Sequence, residues 1–214
     1  MSQVRQFFRS RFSKQGDLRF TSHHDLMRLY ERVFRRAQLP LAMSQGYNPR
    51  PQISLPAPLS VGFSGDNEVL DFELCRWRRP TEVKDELAGQ LPEGIDLTNL
   101  RSLPKKPGRR PSYFSYRVPL LDGHPVVQDS LSELMDRPEL IVERRRKGKV
   151  ETKNVTNIVR SLRLEGSDLH MLFAMTERGT TRPEEILREL HCERGRHYLQ
   201  SSIVRTHVDL SSSL

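Results

Sequence analysis

Two adjacent imidazoles, His23 and His24, follow Ser22 at what the apolar spacing predicts to be the start of a helix. Ser22 is a suitable N-cap, and Asp25 at the third helical position approximates the acidic partner of a capping box. The field at a helix N-terminus disfavours imidazolium, so both rings are expected to stay neutral near neutral pH. A neutral imidazole can take the proton of a ribose 2′-hydroxyl, while guanidinium groups such as Arg19 and Arg28 stabilise the charge that then develops at phosphorus. That is the chemistry of metal-free RNA cleavage, with His23 as a weak candidate base. The alternative is that the histidines only cap and pack the helix start, because spacing identifies no general acid.

The same helix carries Arg28, Arg32 and Arg35 at i, i+4 and i+7, one stripe along a solvent-facing side. The stripe either contacts phosphates or is a solvated face partly neutralised by Glu31. After the helix comes "SQGYNPRPQ", the most unusual segment of the chain. Gly46 permits a positive φ, and Asn48-Pro49 and Arg50-Pro51 hold the backbone extended. Such a loop presents Gln45, Tyr47, Asn48 and Arg50 as fixed side chains. Tyr and Arg planes stack on bases, and Asn and Gln read base edges. The competing account is a stiff crossover with Tyr47 buried.

Other candidates are weaker. Arg5, Phe7, Arg9 and Arg11 share one face of the first expected strand, but the third strand answers with Asp71 and Glu73, so cross-strand ion pairing is the simpler account. "ERRRKGK" is either a phosphate-seeking hairpin tip or an exposed loop. "RGTTRPEE" sets Thr180 and Thr181 ahead of a helix start, as an anion pocket or as simple capping. His191, Cys192 and His197 lack the further ligands at recognised spacing that a metal site needs, so no metal is assigned. Cys75 and Cys192 are far apart in sequence and form no CxxC pair, which argues against a zinc site or a disulfide scaffold, and two thiols cannot build an iron–sulfur cluster. No cofactor is assigned.

The elements that must position these residues fall into two halves. The basic segment "LPKKPGRRPS" reads as a linker, giving an amino-terminal domain at 1–103, a linker at 104–111 and a carboxy-terminal domain at 112–214. In the first half, Val4–Phe12 reads as a strand and "KQGDL" as a turn. His23–Gln38 then forms a helix with Leu26, Leu29, Tyr30, Val33 and Phe34 inward. Extended pieces follow in Gln52–Phe63, then a half-buried strand with Leu70, Phe72 and Leu74 inward, a helix through Val83, Leu87 and Leu91, and a strand at Ile95–Leu100. The second half reads as a strand at Tyr113–Val118, a helix through Val126, Val127, Leu131, Leu134 and Met135, and a short strand at Leu140–Glu143. A hairpin about Gly-Ser-Asp follows, then a helix from Pro183 and a final strand in "SSIVRTHVDL". The expected architecture is α+β, two tandem ferredoxin-like β-α-β-β-α-β units, the second with an extra strand or two.

The chain has 214 residues and a net charge of +8. Residues 1–50 hold ten Lys/Arg against three acids, residues 51–100 four against nine, and residues 101–110 five against none. Basic charge gathered in this way points to a polyanion partner. No apolar run spans a membrane and the start has no apolar signal core, so a cytoplasmic protein is expected.

"KQGDLRFTSHHDLMRLYERVFRRAQLPLAMSQGYNPRPQISLPAPLSVGFSG" resembles the radical-SAM-linked protein family, a bacterial domain of unknown function. "EVLDFEL", "TRPEEIL" and "IVRT" extend the likeness over nearly the whole chain, and Ser44–Pro49 is its most specific part. His24 departs from the leucine usual there, which leaves His23 as the better candidate base. The resemblance implies a companion: a radical SAM protein with a cobalamin-binding-like region, in the company of an E/G-type ribonuclease and ribosomal proteins. With no CxxxCxxC motif, this chain would be the stand-alone accessory half. The tandem fold is also similar to that of CRISPR repeat-processing endoribonucleases, a likeness of fold only. The expected function is therefore an RNA-binding accessory protein, a non-enzyme rather than an enzyme, for tRNA or rRNA modification or processing. The alternatives are a metal-independent endoribonuclease using His23 and a protein-only docking scaffold.

Overall fold

A computed structural model describes residues 5–108, 110–121, 128–146, 148–192 and 194–210. The chain is mixed α+β, with mostly antiparallel pairing in its sheets and four helices among the described residues. It divides into two compact units, one running through Pro111 and one over Ser112–Asp209.

The first unit begins with β1 (Gln6–Lys14), in which Phe8, Ser10 and Phe12 alternate inward. The turn expected at "KQGDL" is a short 3-10 helix at Gly16–Phe20. Gln15 N donates to Gly94 O at 2.8 Å. Gly94 sits at φ 89°, and a Cβ there would lie 2.8 Å from Gln15 O, so only glycine lets the two backbones meet. Helix α1 (His23–Arg36) buries Leu26, Tyr30, Val33 and Phe34 on the face the sequence spacing foretold. Phe34 meets Phe72 edge-on at 4.7 Å, Phe72 stacks on Phe8 at 5.1 Å, and Tyr30 meets Phe12 at 5.4 Å. These rings tie helix to sheet and form the centre of the core.

The prolines of residues 51–58 reduce the expected extended pieces to β2 (Ile53–Ser54). Then come β3 (Ser64–Leu74), α2 (Pro80–Ala88) and β4 (Ile95–Leu103), in the sheet order β4-β1-β3-β2. One expectation is corrected here. β3 is not half-buried, because every residue from Glu68 to Leu74 is buried. Asp71 and Glu73 tolerate burial because Arg9 and Arg5 reach them, Arg9 through two bonds of 2.7 and 2.9 Å and Arg5 at 3.0 Å.

The second unit holds β5 (Pro111–Pro119), α3 (Gln128–Asp136), β6 (Ile141–Arg146), β7 (Lys149–Asn154), β8 (Val159–Glu165), β9 (Asp168–Ala174), α4 (Pro183–Glu189) and β10 (Val204–Leu210). The main sheet runs β10-β5-β9-β8, and β6 pairs with β7 as a separate hairpin. The two residues Gly166 and Ser167 turn β8 into β9, with Glu165 opposite Asp168. Phe114, Val118, Leu131, Leu134, Met171, Phe173, Ile186 and Leu187 form its interior. Val126 and Val127, expected at the start of α3, lie outside the described residues. No described helix is long and apolar enough to cross a membrane.

Candidate nucleic-acid interface

Ser22 caps α1 as its sequence position requires. Its hydroxyl accepts from Asp25 N at 3.2 Å and donates to the Asp25 carboxylate at 2.7 Å. His23 is thereby half-buried and His24 exposed, the rings meeting edge-on at 5.8 Å. Burial, and then the neighbouring His24, hold the His23 imidazole below its ordinary value, so the ring is neutral at pH 7. It lines a narrow cleft with Lys14, Thr21, Leu55 and Glu68. Lys14 is 1% exposed and Glu68 3%. The Lys14 ammonium donates to the carbonyls of Arg19 and Thr21, each at 3.4 Å.

These two buried charges escaped sequence reasoning, since isolated Lys and Glu residues normally face solvent. Strand parity held the signal. Lys14 continues the even-numbered inward series Phe8, Ser10, Phe12, and Glu68 is the partner of Phe12 across the ladder. Tyr30, also buried, has a hydroxyl without a hydrogen-bond partner among the described residues. Burial, and then the charge of Glu68, hold its phenol well above the ordinary value.

Arg19 stands apart from the other expected phosphate ligands. Its Nη1 donates to Gly16 O at 2.9 Å and its guanidinium lies 4.6 Å from the centre of the Phe20 ring, so it is engaged in its own turn. Arg28, Arg32 and Arg35 are exposed on the outer side of α1. Arg28 has a loose ion pair with Asp25 at 3.7 Å. Arg32 and Arg35 form no ion pair or side-chain hydrogen bond among the described residues, so Glu31 does not neutralise them through contact.

The segment after the helix is a closed loop seated on β3. Ala42 N donates to Glu73 O and Glu73 N to Gln52 O, while Gln52 N donates to Ala42 O. The tip is sealed by Ser44 N to Arg50 O at 2.8 Å and Arg50 N to the Ser44 hydroxyl at 2.9 Å. Gly46, at φ 138°, makes the bend. Gln45, Tyr47, Asn48 and Arg50 all project from this tip, and the Tyr47 side chain is 100% exposed. The buried-tyrosine alternative is thus excluded.

The remaining candidates resolve into structure. Glu185 fills the N-terminus of α4 itself, accepting from the Thr181 hydroxyl at 2.8 Å and from Arg182 N at 3.1 Å, so capping and not an open anion pocket accounts for "RGTTRPEE". Arg144, from the basic hairpin, grips the same carboxylate at 2.7 and 2.8 Å. The side chains of Arg145, Arg146 and Lys147 lie outside the described residues. Among the described residues no three His, Cys, Asp or Glu side chains are placed to hold a metal ion.

No curated protein matches the sequence. A family model matches residues 8–183, a stretch that holds α1, the Tyr47 loop and most of both units. The chain therefore belongs to the family described as "uncharacterized protein conserved in bacteria" (DUF2344).

Proposed function

We propose that this chain is a non-catalytic RNA-binding accessory protein that works beside a separate radical SAM enzyme in tRNA or rRNA modification or processing. One observation carries RNA binding: Tyr47 is wholly exposed on a loop whose neck is fixed by the paired Ser44–Arg50 hydrogen bonds. A bare ring carried into water on a braced loop serves as a stacking platform for an unpaired base. Arg50 on the same tip, and Arg32 and Arg35 without ion pairs on α1, supply phosphate contacts. The radical SAM companion is supported by the resemblance over Lys14–Gly65 and by the lack of a cluster-binding CxxxCxxC motif in this chain. In this reading the strand orders β4-β1-β3-β2 and β10-β5-β9-β8 are two tandem ferredoxin-like units, the β6–β7 hairpin being an insertion into the second, and the protein acts in the cytoplasm.

Fluorescence anisotropy with labelled tRNA and rRNA fragments tests the proposal. Affinity should fall steeply between about 50 and about 200 mM salt. Tyr47→Ala should weaken binding by about 1–3 kcal/mol per stacked base without lowering stability. RNA affinity that is absent or indifferent to salt selects a protein-only docking scaffold instead. The half-buried, neutral His23 beside Lys14 favours a second reading, a metal-independent endoribonuclease. RNA cleavage in EDTA that disappears in His23→Ala selects it.

A further inference from the structure

The second unit contains a cavity of about 490 Å³ that the RNA-binding surface does not use. That volume lies within the range of small-molecule sites. Its walls come from β6, α4 and the loop before β10. One wall is rigid. The Arg144 guanidinium and Glu185 carboxylate make two parallel bonds of 2.7 and 2.8 Å, and Thr181 and Arg182 N complete the carboxylate's partners. This pair is satisfied within the protein and is not available to a ligand.

The arginines on the rest of the lining are exposed. The Arg182 and Arg194 guanidinium groups form no ion pair or hydrogen bond among the described residues, although Glu184 stands near both. Arg188 also lines the cavity and uses Nη1 on Glu143 O at 2.9 Å. Glu184, near Arg182 and Arg194, presents a buried Oε2 with no hydrogen-bond partner among the described residues. Burial is the first cause that holds its carboxyl above the ordinary value. A buried carboxylate oxygen without a donor is costly. A ligand that brings an N–H group would satisfy it. The exposed Arg182 and Arg194 guanidinium groups are placed to receive an anion of the same ligand, and phosphate suits their planar forks.

Tyr198 narrows the choice. It is 4% exposed and lines the same cavity, an aromatic residue held in place by its burial. Its backbone is fixed by the bond from Gly195 N to Tyr198 O at 2.8 Å, which closes the loop that carries Arg194. A flat heterocycle with an amino group, joined to a phosphate, meets all three demands.

We propose that this cavity binds a nucleotide whose base carries an exocyclic amino group, with the phosphate on Arg182 and Arg194 and the amino group on Glu184 Oε2. The nucleotide is either free or an unstacked residue of an RNA strand. Only the second source rests on the RNA-binding reading above.

Isothermal titration of the full chain with cytidine and uridine monophosphates tests the amino group, since cytosine offers a 4-amino donor beside an N3 acceptor where uracil offers a 4-oxo acceptor beside an N3–H donor. Cytidine monophosphate should bind about tenfold more tightly than uridine monophosphate. Glu184→Gln should remove that preference. Arg182→Ala combined with Arg194→Ala should weaken both nucleotides by about tenfold or more while the urea midpoint stays unchanged. Tyr47→Ala should leave mononucleotide binding as it is, so failure here and failure of the RNA reading are separate results. A short oligocytidine that binds more tightly than the mononucleotide identifies RNA as the source, and equal affinity identifies the free nucleotide. No binding of either mononucleotide at about 1 mM overturns the proposal. So does inorganic phosphate binding as tightly as the nucleotides, or a double arginine variant that binds as well as the parent.

Discussion

The arginines of α1 and Arg144 of β6 are one residue type in two opposite situations. Arg32 and Arg35 stand on an exposed helix face with no carboxylate in contact among the described residues. Arg144 points inward and is gripped twice by a carboxylate that is itself buried. In sequence both sets are basic clusters, one spaced along a helix and one the consecutive run from Arg144. What separates them is a partner far along the chain: Glu185 is 41 residues from Arg144. Arg9 repeats the pattern in the first unit, its partner Asp71 lying 62 residues away. A cluster of arginines is therefore an interface only where the fold sets no acid opposite.

Removing the grip should give the largest effect. Arg144→Ala leaves Glu185 buried with Thr181 and one backbone N–H, and should cost about 3–5 kcal/mol in urea denaturation. A loss under about 1 kcal/mol would mean that the pair is as dispensable as a surface bridge, and the contrast with α1 would fail. Acid titration gives the same contrast between neighbours in the chain. Burial pushes the Glu185 carboxyl up, but the bonds from Arg144, Thr181 and Arg182 N more than offset it and leave it below the ordinary value. Its contribution to stability is thus complete above the ordinary glutamate range and is lost as pH falls through the depressed folded value. Glu184 behaves in the opposite sense. Raised mainly by burial, it favours the folded state when protonated, and that contribution fades as pH rises through its folded value. Glu185→Gln should flatten the acid limb of the stability profile, and Glu184→Gln should raise stability at neutral pH. Chemical denaturation from about pH 3 to about pH 8 reads both.

The next effect falls on binding alone. Arg32→Glu with Arg35→Glu should lower RNA affinity about a hundredfold and reduce the salt slope by about two, one for each phosphate no longer neutralised. The unfolding free energy should move by no more than about 0.5 kcal/mol, because no described carboxylate pairs with either side chain. A large fall in stability would place these arginines in the class of Arg144.

Much of the fold was legible because period and punctuation agree locally. The inward face of α1, the Ser22 cap and the Gly166–Ser167 hairpin follow from spacing and turn chemistry within a few residues. β7 was missed, since "KVETKN" is short, polar and exposed along most of its length and owes its pairing to β6. Asp71 and Glu73 were read as solvent-facing because alternation with leucine normally means that. The cross-strand arginine partners expected from the sequence are present, and they let both acids be buried instead. The composition of the Tyr47 tip left exposure and burial both open, because the bonds that seal it come from Ser44 and Arg50 and not from proline alone. The cavity of the second unit could not be read at all. Its lining comes from β6, α4 and the loop before β10, and no local pattern brings those segments together.

The smallest effect tests the boundary between the two classes. Arg28 and Asp25 lie one turn apart on α1 at 3.7 Å, with side chains 72% and 60% exposed. So open a pair is screened by water and salt and pays for its geometry in side-chain entropy, so Arg28→Ala should change stability by about 0.5 kcal/mol or less. The Ser22 cap, which also engages Asp25, should hold the helix start unaided. If Arg28 belongs to the phosphate-binding stripe, the same substitution should still lower RNA affinity and take about one from the salt slope. Paired measurements of thermal midpoint and RNA affinity on this one variant separate the cases. Weaker affinity at constant midpoint assigns Arg28 to the interface with Arg32 and Arg35. A midpoint that falls while affinity is unchanged assigns it, despite its exposure, to the helix start.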